Sequence, residues 1–218
     1  MFPYYPHGDL YSFVKAASRR KELPERAVRV IFVQLVKALQ SLHALGIVHR
    51  DLKHQNILVQ SSELDAFDAI TKLKEGEPTD FQVLLTDFGF AIKLSELKKE
   101  DRYPCLGTPT HFSYEMLVSQ SVTNSNSGSK RKRVFYDERV DIWCLGIILY
   151  SLLFRGLTPF ETEPFDKEIT KQKIKGLNYS FPNDAYKDGC DLIKKILVKP
   201  SRRLTLAQIL EHPFCKHD

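Results

Sequence analysis

The 218-residue chain contains no apolar run of membrane-spanning length. Its longest, residues 142–154, is broken by Gly146 and Ser151 and falls well short of the ~20 residues a span requires, so no membrane span is expected. No basic segment leads into an apolar core in the opening MFPYYPHGDL, which argues against a secretory signal. Cysteine is sparse. Cys105, Cys144, Cys190 and Cys215 show neither paired metal-ligand spacing nor a dense disulfide framework, so reduced thiols in a cytoplasmic protein are expected, with a nuclear location as the alternative. Excess charge of one sign is small, 32 Lys+Arg against 27 Asp+Glu for a net +5, and the one dense basic run is KRKR at 130–133. A nucleic-acid interface concentrates basic charge on a face or an arm, so no nucleic-acid partner is expected. With 43% hydrophobic residues and 27% charged, the composition excludes wholesale disorder.

Periodicity predicts a mostly helical protein with short β hairpins. After Pro24, Val28, Ile31, Phe32, Leu35, Leu39 and Leu42 recur at i, i+3, i+4 and i+7, an amphipathic helix that Gly46 closes. IVHRDLKHQNILV reads as a polar loop held between two short strands, and FQVLLTDF as a strand running into a turn. Residues 66–73 suit a short helix inside a polar 61–80 insertion, and 119–133 is a second, Ser- and Asn-rich insertion ending in the basic run. VDIWCLGIILYSLLF is apolar on nearly all sides, which predicts a helix buried all round, with further helices over about 165–175 and 185–197.

The polar loops carry the chemistry. HRDLKHQN at 49–56 and DFG at 87–89 together specify His49, Arg50, Asp51, Lys53, Asn56, Asp87, Phe88 and Gly89, a combination whose chance occurrence is on the order of one in ten billion per register. Each residue alone has a plainer use: Asp51 as a cap, Asn56 as a turn former, Asp141 as an acidic charge at a helix N-terminus. The set resembles a eukaryotic serine/threonine protein kinase. GTPTHFSYE at 107–115, DIWCLG at 141–146, PSRR at 200–203 and HPF at 212–214 extend the resemblance over essentially the whole chain.

The resemblance implies a protein-kinase-like large, C-terminal lobe spanning 1–218, using ATP and Mg²⁺ to phosphorylate Ser or Thr of a protein substrate. Asp51 would orient the acceptor hydroxyl, Lys53 would set a cation on the γ-phosphate, and Asn56 and Asp87 would offer Mg²⁺ hard oxygen ligands. Arg50 resembles the arginine that grips a phosphorylated activation loop, Thr108 belongs to the Gly-Thr-Pro element, Asp141 would brace the catalytic loop, and Glu115 and Arg203 correspond to a buried ion pair. Residues 1–8 resemble the hinge, with Asp9 near the ribose and Leu58 beneath the adenine. Among serine/threonine kinases, the strings look most like the autophagy-initiating subgroup, with calcium/calmodulin-type and polo-like kinases sharing several of them.

Departures matter as well. No glycine-rich loop, no strand lysine of the Val-Ala-Ile-Lys type and no helix glutamate occur, so the resemblance implies a chain that lacks the family's small lobe and is expected to be incomplete as a kinase on its own. An apolar face left bare would suit a regulatory protein. Ser113-Tyr114-Glu115 stands for Ala-Pro-Glu, His111 replaces an aromatic, Pro104 occupies the usual phospho-threonine position, and Gln55 lies where arginine-directed kinases have Glu. A catalytically silent scaffold is the alternative reading, and a small-molecule kinase the more remote one.

Overall fold

The central element is α5, Arg139–Leu153, in which every residue from Val140 to Leu153 is buried. Its sequence has no polar stripe, so it is stable only when neighbours surround it. The computed structural model describes residues 5–20, 23–73, 79–96, 109–123, 137–183 and 185–216, with the side chains of 119–123 excepted. Helix α2, Glu25–Ala44, lies against α5 through the stripe Val28, Ile31, Phe32, Leu35 and Leu39, with Leu42 at its edge. On another side packs α7, Lys187–Ile196. Each fully buried Ile, Leu or Phe adds about 1.5–3 kcal/mol relative to an exposed one, so the packing of α2 and of α7 on α5 contributes heavily to the core.

Smaller helices are set by their caps. Asp9 accepts a hydrogen bond from the Ser12 amide at 2.7 Å and opens α1, Leu10–Arg20. Asp65 does the same for α3, Ala66–Thr71, and Asp166 for α6, Lys167–Gly176. Helix α4 runs Tyr114–Thr123, α8 Leu206–Leu210 behind a Thr205/Gln208 capping box, and α9 Pro213–Lys216. Both α1 and α4 are additions to the sequence reading. Leu10, Phe13, Val14 and Ala17 of α1 do have helical spacing and are buried. The expected insertion at 119–133 begins inside α4, and its remainder from 124 lies outside the described residues.

Two antiparallel strand pairs complete the fold. Strand β1, Ile47–Val48, pairs with β4, Ile92–Lys93, and β2, Ile57–Gln60, pairs with β3, Gln82–Leu85. These pairings set the 49–56 loop and the 86–91 loop face to face, because the strands entering and leaving one loop are hydrogen-bonded to those leaving and entering the other. Among the described residues no helix is long and apolar enough to cross a membrane, and Cys144, Cys190 and Cys215 are not in disulfides. Cys105 lies outside the described residues.

Helices α5 and α7 approach closely at Gly146, where an added Cβ would sit 2.7 Å from Ile196 Cγ2 and 2.8 Å from Leu197 Cδ2. Gly146→Ala gains about 1 kcal/mol of helix propensity but overpacks this contact at a cost of ~1–3 kcal/mol. The contact term prevails: the expected result is a lower urea midpoint with an unchanged denaturant slope, and a midpoint at or above that of the unmodified protein would refute the close-approach argument.

Candidate active site

Asp141, fully buried in the first turn of α5, organises the 49–56 loop. Its Oδ2 accepts the His49 amide at 2.8 Å and the His43 Nε2–H at 2.9 Å, and its Oδ1 accepts the Arg50 amide at 2.9 Å. Three N–H donors and the positive end of the helix dipole compensate for removing this carboxylate from water. Arg50 adopts a left-handed backbone, φ 66°, which costs a non-glycine residue roughly 1 kcal/mol or more. Its amide bond to Asp141 and its Nε–H bond to the Phe90 carbonyl, 2.6 Å, hold that conformation.

The loop then turns around Asp51, which is 4% exposed. Lys53 Nζ lies 2.7 Å from Asp51 Oδ2, and Asn56 Nδ2 donates both to that oxygen, 3.0 Å, and to the Asp51 carbonyl, 2.9 Å. Both side-chain contacts fall on Oδ2. Among the described residues Oδ1 receives no hydrogen bond, so one carboxylate oxygen is anchored and the other remains able to accept. The Asn56 amide, committed through its nitrogen, is left with its carbonyl oxygen as the remaining acceptor.

Asp87 is carried to this loop by backbone contacts. His49 Nε2–H donates to the Thr86 carbonyl at 3.0 Å, and the Thr86 amide donates to the Asn56 carbonyl at 3.0 Å. Since His49 Nδ1 faces the Asp51 amide at 3.4 Å as an acceptor, the imidazole proton belongs on Nε2. Asp87 follows directly, exposed and left-handed at φ 59°, with its Oδ1 accepting the Gly89 amide at 3.3 Å. Phe88 keeps its ring 5.2 Å from that of His49 while 49% exposed.

Asp9 and Leu58 are bridge partners, and the Val59 amide donates to the Gly8 carbonyl at 2.9 Å. Glu115 and Arg203, both buried, form a two-pronged pair at 2.7 and 3.0 Å, and Arg203 also donates to the carbonyls of Ile196, Arg139 and Val198. Its guanidinium stacks 5.0 Å from the Trp143 ring. This set supports position rather than reaction, fastening α4 to the turn before α8. Thr108, Pro104 and residues 1–4 of the hinge-like 1–8 segment lie outside the described residues.

The structure adds His43 to the residues named from sequence. Its signal was a lone imidazole continuing the buried stripe of α2 one turn before the polar loop. It also brings the imidazole of His54 beside that of His111, with ring centroids 6.0 Å apart and no hydrogen-bond partner for either Nε2 among the described residues.

Residues 1–215 match the family model described as protein kinase domain. Among curated proteins, the chain is similar to Aurora kinase C of Mus musculus, 29% identical over 98% of this chain and 63% of that protein. Serine/threonine-protein kinase ULK3 of Homo sapiens is 32% identical over 95% and 37%, and serine/threonine-protein kinase PLK4 of Nematostella vectensis 37% identical over 88% and 16%. The chain thus spans less than two thirds of the length of these relatives. Their names cover several kinase types at comparable identity and single out none of the subgroups suggested by the motifs.

Burial lowers the His111 imidazole to about 3, with the neighbouring His54 and Lys53 charges adding to the effect, and burial lowers His54 to about 4. The unfolded chain takes up a proton on each near pH 6.5 that the folded protein refuses, so stability is complete above that pH and falls as the solution is acidified. For His111 at pH 5 the loss is about 2 kcal/mol. Between pH 7 and pH 5, urea denaturation of the unmodified protein is therefore expected to lose about 2 kcal/mol more than that of His111→Phe, which has nothing to protonate there. Parallel pH profiles would show that this imidazole is not held neutral by the fold.

Proposed function

Because the chain belongs to the protein kinase domain family, we propose that it transfers the γ-phosphoryl group of ATP to a Ser or Thr hydroxyl of a protein substrate. The observation that carries this reading is the division of labour at Asp51: Lys53 and Asn56 hold Oδ2, while Oδ1 remains for the incoming hydroxyl. A carboxylate fixed in this way accepts and orients the hydroxyl hydrogen, which raises the fraction of encounters aligned for in-line attack. Asp51 serves mainly as a positioning acceptor and takes the proton late, as the new P–O bond forms. Lys53, next to it, places positive charge where the transferring group's oxygens accumulate negative charge.

Asn56 and Asp87 are the proposed Mg²⁺ ligands. Their available groups, the Asn56 amide carbonyl and the exposed Asp87 carboxylate, are hard oxygens suited to that ion, and two protein ligands match a metal that keeps phosphate and water oxygens for its remaining positions. When bound, Mg²⁺ would neutralise charge on the nucleotide phosphates. Asn56 cannot turn its nitrogen outward without giving up both contacts to Asp51, so the same hydrogen bonds that orient the acceptor carboxylate orient the metal ligand. Asp9 and Leu58, adjacent across their bridge, are proposed to border the nucleoside portion of ATP.

The test is phosphate transfer from labelled ATP to a generic basic protein by the full-length protein and two variants. Asp51→Asn keeps the shape but weakens the acceptor, and a fall in kcat of about 10²–10⁴-fold is expected, in the range of general-base contributions. Asp87→Asn is expected to raise the Mg²⁺ concentration needed for half-maximal rate. Equal activity of Asp51→Asn and the unmodified protein would remove Asp51 from the mechanism. Inactivity of the folded unmodified protein would favour a kinase-like scaffold.

A further inference from the structure

Beside the proposed acceptor site lies a cleft of about 370 Å³, bordered by α1, by His54 and Gln55, by the 109–111 turn and by the residues that follow α5. His54 and Gln55 stand between Lys53 and Asn56, the two residues that hold Asp51 Oδ2, so a side chain seated in this cleft belongs to a substrate residue near the acceptor. The volume is within the range of small-ligand pockets, large enough for a few side chains.

Its wall contains two unsatisfied nitrogens. His54 and His111 both line the cleft, come from separate loops and meet nearly edge to face, at 76° with ring centroids 6.0 Å apart. Among the described residues neither Nε2 has a hydrogen-bond partner, and both atoms are shielded from bulk water. A polar atom in that position has lost its hydration and received nothing in return, whereas the large majority of buried polar side-chain atoms in folded proteins are paired. Two such atoms at one cavity wall call for a partner that the cavity admits.

The chemistry of the rings narrows that partner. A neutral imidazole offers one N–H and one lone pair. His111 Nδ1 lies 3.0 Å from the Thr110 hydroxyl, which can donate to it or accept from it, so the His111 Nε2 can take either role. Burial lowers this ring to about 3, so it meets a ligand as a neutral group. A side-chain amide carries its N–H donor and its carbonyl acceptor on neighbouring atoms, and with the rings this close one amide reaches both, donating to one Nε2 and accepting from the other. A hydroxyl has both functions on a single atom and must lie within bonding distance of both rings at once. An apolar side chain leaves both nitrogens orphaned.

Resting on the kinase reading above, we propose that this cleft seats an Asn or Gln side chain of the protein substrate, near the phosphorylated Ser or Thr, with His54 and His111 recognising its amide. Tyr11 and Val14 of α1, in the same lining, suit the aliphatic part of such a side chain whatever group ends it, so discrimination falls on the two hydrogen bonds. The effect is on the choice of substrate, since neither imidazole is placed on the reacting atoms.

The experiment uses full-length protein and acceptor peptides that carry Gln or Met at one position at a time, from four before the acceptor to four after it. The two side chains have similar length and differ mainly in hydrogen bonding. At one position kcat/KM is expected to be about 5–20-fold higher for Gln, the worth of one or two net hydrogen bonds. His54→Phe and His111→Phe should each lower that ratio, and the double variant should bring it to about 1, whatever happens to the overall rate. Lys187→Ala, remote on the exposed start of α7, should leave the ratio as it was. In parallel, the nitrogen-15 resonances of the histidine side chains report binding of peptides whose acceptor is replaced by Ala. The Gln peptide should shift two Nε2 resonances that the Met peptide leaves in place, and each shift should vanish with the corresponding histidine. Such shifts without phosphate transfer would support the cleft and count against the enzymatic reading alone. Equal efficiency of the Gln and Met peptides at every position in an active enzyme, unmoved Nε2 resonances, or a Gln preference that the double variant retains would each overturn the proposal.

Discussion

The candidate site depends on one buried carboxylate. Asp141 accepts three N–H groups, two from the backbone of the 49–56 loop and one from His43 on α2, so it joins the central helix, the amphipathic helix and the loop at one point. A fully buried carboxylate with fewer donors would be strongly unfavourable, and so the three donors are held as firmly as the charge. The left-handed turn at Arg50 follows: without Asp141 to receive its amide, the residue would relax toward the ordinary right-handed or extended regions and carry Asp51 with it.

From this anchor the order passes outward through backbone rather than side-chain chemistry. His49, set by Asp141, uses its ring to hold the Thr86 carbonyl, and the Thr86 amide returns to Asn56. Asp87 therefore gains its place from the residue before it, while its own carboxylate stays exposed and available. Asp51 is treated in the opposite way, nearly inaccessible and with one oxygen committed to Lys53 and Asn56. The contrast fits two tasks, exact orientation for one carboxylate and ligand exchange for the other.

Much of this was legible from residue order, and particular elements show where legibility stopped. The stripe of α2 and the all-apolar α5 were plain because their periodicity or its lack extends over four to five turns. Helix α1 escaped notice although Leu10, Phe13, Val14 and Ala17 mark one face, since its opening Gly8-Asp9 reads equally well as a turn. Strand β4 is only Ile92–Lys93, too short for any alternation to register, and yet its pairing with β1 closes one side of the site. His43 and the His54–His111 pair were invisible as partners because a contact between residues dozens of positions apart leaves no local pattern.

Residue order alone determined which chemical groups are present and their chain spacing: the acid, ammonium and amide at 51, 53 and 56, the second acid at 87, and the apolar segments that must be covered. Those follow from local rules, since side-chain identity and hydrophobic period act over a few residues. The tertiary structure decided which oxygen of Asp51 is anchored, which way the Asn56 amide faces, and that the 49–56 and 86–91 loops confront each other. It also decided that His54 and His111, from separate loops, border the same cleft. Electrostatic and hydrogen-bonded geometry depends on distances through space, and only the packing of α2, α5 and the paired strands sets those distances.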